Sequence, residues 1–323
     1  MRLLITGASG FLGRNALLAM PHSWQVVALY RLGNADFLAF VEAHQLHHIR
    51  PVACDLTDVH QVEQAVGRVG GNFDNCLALA SNTSIPGSIE RPVQDLTTNV
   101  TGLLHLLQCY SFDHLVYLSS GAVYIGLTSL VGPASAVSPD LPYAISKLAA
   151  EHYIRAFVHH HRTPRRATIV RFFGAYGPYE PPRKLYTKLV RQFAFECNPH
   201  FTVIGDGENY IDGMYVDDAM RALLAVLTSP PAEEIRCIDL GVGSGESVNR
   251  VVTRAAHTFG LEPEISHEGS TAEYIRFVID PEPFASAYQF TPTISLEDGL
   301  RRLAAHLEQE SKAVTMRETG QYE

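Results

Sequence analysis

The sequence has few cysteines, and none of them forms a metal-binding pair. Five cysteines occur in 323 residues without any C-x-x-C motif, which predicts reduced, buried thiols in a cytoplasmic protein. Histidine is more frequent, but the histidine clusters at 44–48 and 159–161 lack carboxylate or thiol partners at ligand spacing. We therefore predict that no metal is bound.

Long hydrophobic runs and an excess of basic residues are also absent. No apolar run reaches the roughly 20 residues of a membrane span, and the first predicted strand starts at the N-terminus, which leaves no room for a signal peptide. The net charge is −9, which does not suggest a nucleic-acid surface. We expect a cytoplasmic protein with a small-molecule substrate and no membrane or nucleic-acid partner.

Short apolar segments alternate with helical patterns through the first half of the chain. Such alternation indicates an α/β fold with a doubly wound parallel sheet of Rossmann type, covered by helices on both faces. The predicted strands are Arg2–Thr6, Gln25–Tyr30, His48–Ala53, Phe73–Ala80, Leu115–Ser119 and Ala167–Phe172. The predicted helices are Phe11–Met20, Asp58–Val69, Ile89–Tyr110 and Tyr143–His161.

The pattern changes after Phe173 and indicates a smaller C-terminal α/β domain that binds the substrate. The elements predicted there are a loop over Gly174–Arg183, helices over Lys184–Glu196, Val216–Thr228 and Leu296–Gln309, and strands over Phe201–Ile204 and Arg236–Leu240, the last returning to the main sheet. We assign residues 1–172 and about 235–260 to a dinucleotide-binding domain. Residues 173–234 and 261–310 form the predicted substrate-binding domain, and 311–323 a frayed polar tail.

A glycine-rich turn follows the first strand directly. Gly7, Gly10 and Gly13 have G-x-x-G-x-x-G spacing and precede a helical stretch. The first glycine permits a sharp turn, the second lets backbone N–H groups approach a pyrophosphate, and the third lets the helix pack close to the sheet. The helix N-terminus favours the phosphates. This turn predicts a bound dinucleotide.

Tyr143 and Lys147 lie four residues apart at the start of a predicted helix, so they share one face. The reference pKa of tyrosine, near ~10, is too high for acid–base work at neutral pH, and we expect the Lys147 ammonium and an oxidised nicotinamide to lower it. Ser120 ends a predicted strand, where ligands bind in parallel sheets. The alternatives are a chance Y-x-x-x-K on an exposed helix and a serine that only caps the next segment.

Several motifs, in order along the chain, resemble those of the extended short-chain dehydrogenase/reductases, the family of nucleotide-sugar epimerases, dehydratases and ketoreductases. The resemblance runs from Met1 to about Leu303. It is carried by Thr6–Gly13, Asp55-Leu56, Leu79–Ser81, Ser84–Pro86, Asn99–Gly102, Ser119-Ser120, Tyr143-x-x-x-Lys147, Arg171–Pro178 and Tyr215–Asp218.

The resemblance implies a role for individual residues and a homodimer. The implied catalytic residues are Ser120, Tyr143 and Lys147. The predicted cofactor-binding residues are Gly7, Ser9, Gly10, Phe11, Leu12, Gly13, Arg31, Asp55, Leu56, Leu79, Ala80, Ser81 and Asn99, together with Tyr143 and Lys147. The predicted substrate-binding residues are Ser84, Ser120, Gly121, Gly174, Arg183, Lys184 and Arg276.

Two departures from the family pattern bear on the reaction and the cofactor. Gly121 and Ala122 stand where the sugar dehydratases have Asp-Glu to remove water across C5–C6, so a 4,6-dehydratase is not expected. Tyr30-Arg31 stands where NAD-using members end the second strand with an acidic residue that accepts from the ribose 2′-OH. An arginine can pair with a 2′-phosphate, so NADP(H) is favoured, with NAD(H) as the alternative.

Two further departures concern the grip on the substrate. Gly174 stands in place of the usual Asn, and Ile211 replaces the arginine that holds the pyrophosphate of a nucleotide sugar in the family. The cations left as candidate phosphate partners are Arg183, Lys184, Lys188 and Arg276. Each of these alone is more simply explained as a solvated surface charge.

Four functions are compatible with these observations. The favoured one is NADPH-dependent reduction of a 4-keto nucleotide sugar, with Tyr143 as proton donor and Ser120 polarising the reacting oxygen. A C4 epimerase with retained NAD would use the same residues. An NADPH-dependent carbonyl reductase of a non-sugar substrate is the third. The fourth is a non-catalytic cofactor-binding sensor, which the presence of both Tyr143 and Lys147 disfavours.

Overall fold

The chain folds around a parallel β-sheet in the computed structural model, which describes residues 1–33, 35–271 and 275–318. The strands are β1 (Arg2–Thr6), β2 (Gln25–Tyr30), β3 (Ile49–Ala53), β4 (Asn72–Ala78), β5 (Ser111–Ser120), β6 (Thr128–Val131), β7 (Arg166–Phe172), β8 (Ala175–Tyr176), β9 (His200–Ile204), β10 (Tyr210–Ile211), β11 (Met214–Tyr215), β12 (Ile235–Leu240), β13 (Glu246–Ser247), β14 (Glu264–Glu268) and β15 (Arg276–Ile279). The helices are α1 (Phe11–Ala19), α2 (Ala35–Ala43), α3 (Val59–Val69), α4 (Ile85–Glu90), α5 (Pro92–Leu96), α6 (Gly102–Cys109), α7 (Pro142–His161), α8 (Leu185–Val190), α9 (Val216–Thr228), α10 (Val248–Thr258), α11 (Glu282–Tyr288) and α12 (Leu296–Glu318).

The main sheet has seven strands within the described residues, in the order β12-β7-β5-β4-β1-β2-β3. All neighbours are parallel, and Leu4 of β1 lies beside Val27 of β2 and Cys76 of β4. The chain winds outward from β1 through β2 and β3, then crosses to β4 on the other side. Ligands bind at such a reversal, beyond the carboxyl ends of the strands. The predicted Rossmann-type fold is confirmed.

The central strands are apolar on both faces because helices cover both faces. In β1, the side chains of Leu3, Leu4 and Ile5 are fully buried. Leu3 and Ile5 belong to a core with apolar residues of α1 and α9, whereas Leu4 faces the opposite core with residues of α3, α6 and α7. The strand alternation thus divides the apolar side chains between two helical layers.

A further core, formed by the C-terminal part of the chain, does not follow the predicted domain boundaries. Helix α10 lies within the predicted dinucleotide-binding segment 235–260, but it packs with residues of α8, β9 and α12. Helix α9 lies within the predicted substrate segment 173–234, but it packs on the main sheet. The apolar face of a helix does not reveal which of two cores it covers, and the division of the chain into two domains stays a prediction.

The segment predicted as one helix over Ile89–Tyr110 is interrupted in the structure. It consists of the end of α4, then α5, a π-helical turn over Thr97–Thr101 and α6. Arg91 leaves the helical conformation, with φ of −134°, because a following proline disfavours it in the residue before. Asn99 lies within this π-turn and is buried.

Two other helices differ from the prediction. Helix α2 was not predicted between the second and third strands. Helix α12 continues past Gln309 to Glu318, so the predicted frayed tail 311–323 is helical as far as Glu318, and 319–323 lie outside the described residues. An ion pair of 2.6 Å between Lys312 and Glu308 stabilises this polar helix. No helix in the described part of the chain is long and apolar enough to cross a membrane.

Candidate active site

A cavity of about 950 Å³ lies at the carboxyl ends of the central strands. Its volume is near the upper end of the range of roughly 300–1,000 Å³ found for ligand sites. The predicted site residues that line it are Gly7, Ser9, Gly10, Phe11, Leu12, Gly13, Arg31, Asp55, Leu56, Leu79, Ala80, Ser81, Ser120, Gly121, Tyr143, Lys147, Gly174, Arg183 and Lys184. Residues far apart in the sequence therefore meet around one space.

The glycine turn after β1 forms one wall of the cavity. Gly7 has φ of 69°, and a Cβ atom on Gly13 would overlap the carbonyl oxygen of Gly7. Gly10 is the N-cap of α1, yet no side chain caps this helix and its first turn has no acidic residue. The first N–H groups of α1 are thus available to a phosphate. The turn fits the pyrophosphate of a nicotinamide dinucleotide.

The next parts of this wall follow β2 and β3. Arg31 comes directly after β2, where its exposed side chain borders the cavity. The Asp55 carboxylate accepts from the backbone N–H and the hydroxyl of Thr57, at 2.9 and 2.8 Å. The carbonyl oxygen of Leu56 is hydrogen-bonded to His105 Nδ1 at 2.8 Å. These contacts fix the loop that follows β3.

Tyr143 and Ser120 meet in the cavity and are hydrogen-bonded to each other. Ser120 ends β5, and its hydroxyl oxygen also accepts from the N–H of Ala122 at 3.1 Å. Ser120 therefore caps the following 3₁₀ turn and contacts Tyr143 at the same time, so the two interpretations of this serine are compatible. The bond to Ser120 lowers the pKa of Tyr143, but burial outweighs it and raises this pKa above the ordinary value.

Lys147 is buried one helical turn beyond Tyr143. Its ammonium group donates to the carbonyl oxygen of Leu118 at 2.6 Å and to Ser81 Oγ at 3.4 Å. Burial lowers the pKa of Lys147 to about 7, because a low-dielectric environment disfavours the charged form. In the polypeptide alone burial keeps the pKa of Tyr143 raised, and the lowering expected from Lys147 together with an oxidised nicotinamide stays a prediction.

Asn99 lies outside the cavity lining and is hydrogen-bonded to the loop after β4, which lines the cavity. Its carbonyl oxygen accepts from Ser81 Oγ at 2.9 Å and from the backbone N–H of Asn82 at 2.7 Å. Its amide group donates to Ser146 Oγ at 2.9 Å and to Asp95 Oδ1 at 3.1 Å. Asp95 and Asn99 both contact the Ser146 hydroxyl of α7. The four-residue spacing of Asp95 and Asn99 was the available sequence signal for this contact.

A second buried network, missed by the sequence analysis, lies below Ser120 and Lys147. Arg171 Nη2 lies 2.8 Å from Glu151 Oε2, and Ser119 Oγ donates to Glu151 Oε1 at 2.6 Å. Arg171 Nη1 also donates to the Tyr124 hydroxyl, which in turn donates to Asp239 Oδ1 at 2.8 Å. The network joins α7 to β5, β7 and β12. The position of Glu151, four residues after Lys147, was the only local signal.

The predicted substrate residues are not all brought together. The backbone at Gly174 has φ of 126°, and a Cβ atom on Gly121 would lie 2.8 Å from the Phe173 ring. Ser84 was predicted to bind the substrate, but its hydroxyl caps α4 by accepting a hydrogen bond from the Gly87 N–H at 3.1 Å. Arg276 forms an ion pair of 3.7 Å with Glu208. Neither Ser84 nor Arg276 is among the cavity-lining residues.

Glu180 is a cavity residue that the sequence analysis missed. Its Oε2 atom accepts from the backbone N–H and the hydroxyl of Thr187, at 3.1 and 2.7 Å. Burial raises the pKa of Glu180 to about 7, and burial also lowers the pKa of the neighbouring Lys184. The substrate side of the cavity thus contains a carboxyl group beside the predicted cations. Among the described residues, no group of three or more metal-ligating side chains lies together.

Comparisons with known proteins agree with this geometry. The model of the NAD dependent epimerase/dehydratase family matches residues 3–241. The chain belongs to this family. It is an enzyme of the extended short-chain dehydrogenase/reductase type, as the motifs predicted.

Individual relatives resemble the chain over nearly its whole length. A dTDP-glucose 4,6-dehydratase from Xanthomonas campestris pv. campestris is 27% identical and covers 92% of this chain and 90% of its own. A UDP-glucuronate 4-epimerase from Thermodesulfobacterium geofontis is 24% identical, with 93% and 94% covered. The dehydratase and the epimerase match similarly well, so overall similarity does not separate the two reactions.

Solved structures share the fold. The UDP-glucuronic acid 4-epimerase from Bacillus cereus, in complex with UDP-glucuronic acid and NAD, has a TM-score of 0.83 at 22% identity and covers 96% of this chain and 100% of its own. MoeE5 in complex with UDP-glucuronic acid and NAD also has a TM-score of 0.83, at 25% identity and the same coverage. Both of these structures contain NAD, whereas the predicted preference for NADP has no counterpart in them.

Proposed function

We propose that this enzyme is an NADP(H)-dependent reductase of a 4-keto nucleotide sugar. The observation that carries the proposal is the meeting of Ser120, Tyr143 and Lys147 at one corner of the cavity, with Gly121 and Ala122 directly beyond. These side chains suffice for proton transfer at a single carbonyl group, and residues 121 and 122 provide no acid or base for the loss of water.

The cofactor would be held by the glycine turn after β1, with Lys147 at the nicotinamide ribose. A bound nicotinamide dinucleotide supplies or accepts a hydride. The Tyr143 hydroxyl gives its proton to the substrate oxygen, and the Ser120 hydroxyl orients that oxygen. The raised pKa of Tyr143 keeps the phenol protonated at neutral pH, which suits a proton donor in the direction of reduction.

Arg31 supports NADP(H) as the cofactor. It borders the cavity after β2, at the place where an acidic residue would select NAD. A guanidinium group can form two hydrogen bonds to a 2′-phosphate. Among the described residues no carboxylate forms an ion pair with the Arg31 guanidinium, which leaves this group available to a phosphate in the cavity.

A C4 epimerase with retained NAD is the second candidate. It is favoured by the two solved relatives described above, which are complexes with NAD, one of them a 4-epimerase. A 4,6-dehydratase is disfavoured in spite of the relatives with that name. The Phe173 ring lies where a side chain on residue 121 would begin, so an acidic residue there would require this ring to move.

A turnover assay separates these functions. One sample of the purified enzyme is denatured, and the mass of any released cofactor distinguishes retained NAD from exchangeable NADP(H). A second, native sample is assayed with nucleoside-diphosphate 4-keto-6-deoxy sugars and NADPH. A third, also native, is assayed with 4-hydroxy sugars without added cofactor. Stoichiometric oxidation of NADPH by a keto sugar is the expected result. Interconversion of 4-hydroxy epimers without added cofactor would contradict the reductase and support the epimerase.

A homodimer and a cytoplasmic location stay predictions. Exposed apolar side chains on neighbouring helices support the dimer, namely Ile89 on α4, Val93 and Leu96 on α5, and Ile145 on α7. Light scattering of the purified enzyme should give twice the chain mass of 35.6 kDa. A mass equal to one chain would contradict the dimer.

A further inference from the structure

Tyr179 is held in an unusual backbone conformation at the edge of the cavity. Its φ angle is 67°, in the left-handed region that residues other than glycine seldom adopt. Such a conformation persists only where the surroundings fix it, and it occurs preferentially at ligand sites. The residues directly after Tyr179 line the cavity, starting with Glu180.

The Tyr179 side chain contacts three separate helices. Its ring packs edge-on against Phe40 of α2, with centroids 5.3 Å apart, and against His306 of α12, with centroids 5.0 Å apart. The guanidinium carbon of Arg14, on α1, lies 5.7 Å from the ring centroid. The hydroxyl is hydrogen-bonded to His44 Nε2 at 3.0 Å. We call these four partners of Tyr179 the tyrosine clamp.

The clamp is connected to the cofactor side of the cavity. Arg14 Nε donates to the carbonyl oxygen of Ser9 at 3.0 Å, within the glycine turn. The adjacent Asn15 donates through Nδ2 to the carbonyl oxygen of Pro178 at 2.8 Å. Helix α1 therefore contacts the glycine turn through Arg14 and the residue just before Tyr179 through Asn15.

The clamp is also connected to the substrate side of the cavity, through the residues that follow Tyr179. The segment 180–186, which we call the cavity segment, contributes six lining residues, namely Glu180, Pro181, Arg183, Lys184, Leu185 and Tyr186. The Glu180 N–H donates to the carbonyl oxygen of Gly177 at 3.1 Å, so the chain turns tightly around Tyr179. The position of this segment depends on the conformation of Tyr179, because the chain enters the segment through that residue.

We propose that Tyr179 is a positioning residue, which fixes the cavity segment, including Arg183 and Lys184, against α1, α2 and α12. The ring contacts stabilise the left-handed backbone, and that backbone directs the segment along the cavity. Without the ring, the backbone relaxes to an ordinary φ and the segment leaves the wall more often. The inference goes beyond the proposed function, since it does not depend on which reaction the enzyme catalyses.

Limited trypsin digestion tests this proposal without any substrate. Trypsin cleaves after Arg183 and Lys184, and cleavage of a locally opened segment follows the population of the open form. For Tyr179→Ala we expect cleavage at these two bonds to rise roughly tenfold, as expected for the loss of two aromatic contacts. Tyr179→Phe keeps the ring and loses only the hydrogen bond to His44, so its cleavage should rise far less than that of Tyr179→Ala.

Two further variants make the experiment specific. Tyr153→Ala removes a half-exposed tyrosine of α7 that has no part in the clamp, and it should leave cleavage unchanged. His306→Ala removes a single ring partner and should give an increase of about threefold, since each aromatic pair contributes only part of the stabilisation. This variant also provides the test if Tyr179→Ala does not fold.

Cleavage confined to Arg183 and Lys184, with unchanged affinity for NADP⁺ and NAD⁺, would support the proposal. Cleavage rates equal to those of the unmodified enzyme in both Tyr179→Ala and His306→Ala would overturn it. Equally accelerated cleavage at all lysines and arginines would also overturn it, because Tyr179 would then stabilise the whole fold. If the reductase activity is found, Tyr179→Ala should raise KM for the keto sugar with little change in kcat.

Discussion

The ammonium nitrogen of Lys147 lies 2.6 Å from the carbonyl oxygen of Leu118. This hydrogen bond fixes helix α7 on strand β5, two residues before Ser120 ends that strand. Tyr143 lies one helical turn before Lys147 and therefore reaches the Ser120 hydroxyl. The proposed proton donor and the serine proposed to orient the reacting oxygen are thus brought together by a helix and a strand that this hydrogen bond joins.

The first prediction concerns Tyr143 as the proton donor. Tyr143→Phe removes the hydroxyl that bonds to Ser120 and keeps the ring, so we expect an unchanged fold and unchanged cofactor affinity. Turnover should fall by ~10²-fold or more, the usual effect of losing a general acid. The measurement is the steady-state rate with NADPH and the keto sugar. Tyr153→Phe, on the same helix, is the control and should retain the full rate.

Parts of the site were predictable because their geometry is local. The glycine turn follows β1 without a break, and Tyr143 and Lys147 share one face of a single helix. Such patterns depend only on the periods of helices and strands. The same reasoning gave the strands of the main sheet and helix α9, whose predicted bounds agree with Val216–Thr228.

Other parts depend on contacts between distant residues and were missed for that reason. Tyr124 bonds to Asp239 across 115 positions of the chain, and no local pattern specifies such a pair. Asn99 accepts a hydrogen bond from Ser81 across 18 positions of the chain, and the π-turn that contains Asn99 was not predicted. Arg276 has the charge of a phosphate partner, but its ion pair with Glu208 lies outside the cavity lining. Residue type alone does not reveal burial or direction.

The second prediction concerns the choice of cofactor. If Arg31 pairs with a 2′-phosphate, the enzyme binds NADP(H) more tightly than NAD(H). A hydrogen bond to a charged group is worth about 1.5–3 kcal/mol, which corresponds to roughly tenfold to a hundredfold in affinity. Arg31→Asp should remove or reverse this preference in equilibrium titrations with both cofactors. Arg91→Asp, which makes the same charge change outside the cavity lining, should not. Equal affinities in the unmodified enzyme would favour the epimerase.

The third prediction concerns stability and the buried Glu180. Burial raises the pKa of this carboxyl group from 4.5 to about 7. The folded enzyme therefore binds more protons here than the unfolded chain between these values, and the contribution of Glu180 to stability decreases as pH rises through that window. A glutamine at position 180 does not titrate, so Glu180→Gln does not lose stability in this way. The urea midpoint of Glu180→Gln minus that of the unmodified enzyme should therefore be larger at pH 8 than at pH 4.5.

The matched control for this experiment is Glu42→Gln, which changes an exposed side chain of α2. The difference between its midpoint and that of the unmodified enzyme should be the same at both pH values. A Glu180→Gln variant that behaves like Glu42→Gln would contradict the buried, proton-binding state of Glu180. The comparison uses differences between variants, so the titration of other groups in the same pH window cancels.

The fourth prediction concerns the buried ion pair of Glu151 and Arg171. Both side chains are almost fully buried, and two hydrogen bonds of 2.8 and 3.0 Å join them. Glu151→Ala leaves the guanidinium group buried without its partner, which typically destabilises a protein by about 3–5 kcal/mol. The measurement is the free energy of unfolding in urea. Glu233→Ala, which breaks the exposed pair with Arg236, should have an effect of only about 0–1 kcal/mol.

A double variant distinguishes the loss of the pair from the exposure of a lone charge. If the penalty of Glu151→Ala comes from the unpaired guanidinium, Glu151→Met combined with Arg171→Met should recover much of the stability, because apolar side chains of similar volume need no partner. The Ser119 hydroxyl would still lose the acceptor that it has in Glu151. We therefore expect the double variant to unfold at a higher urea concentration than Glu151→Ala and to have reduced turnover. A double variant less stable than Glu151→Ala would contradict this account, since the pair would then contribute more than the cost of its burial.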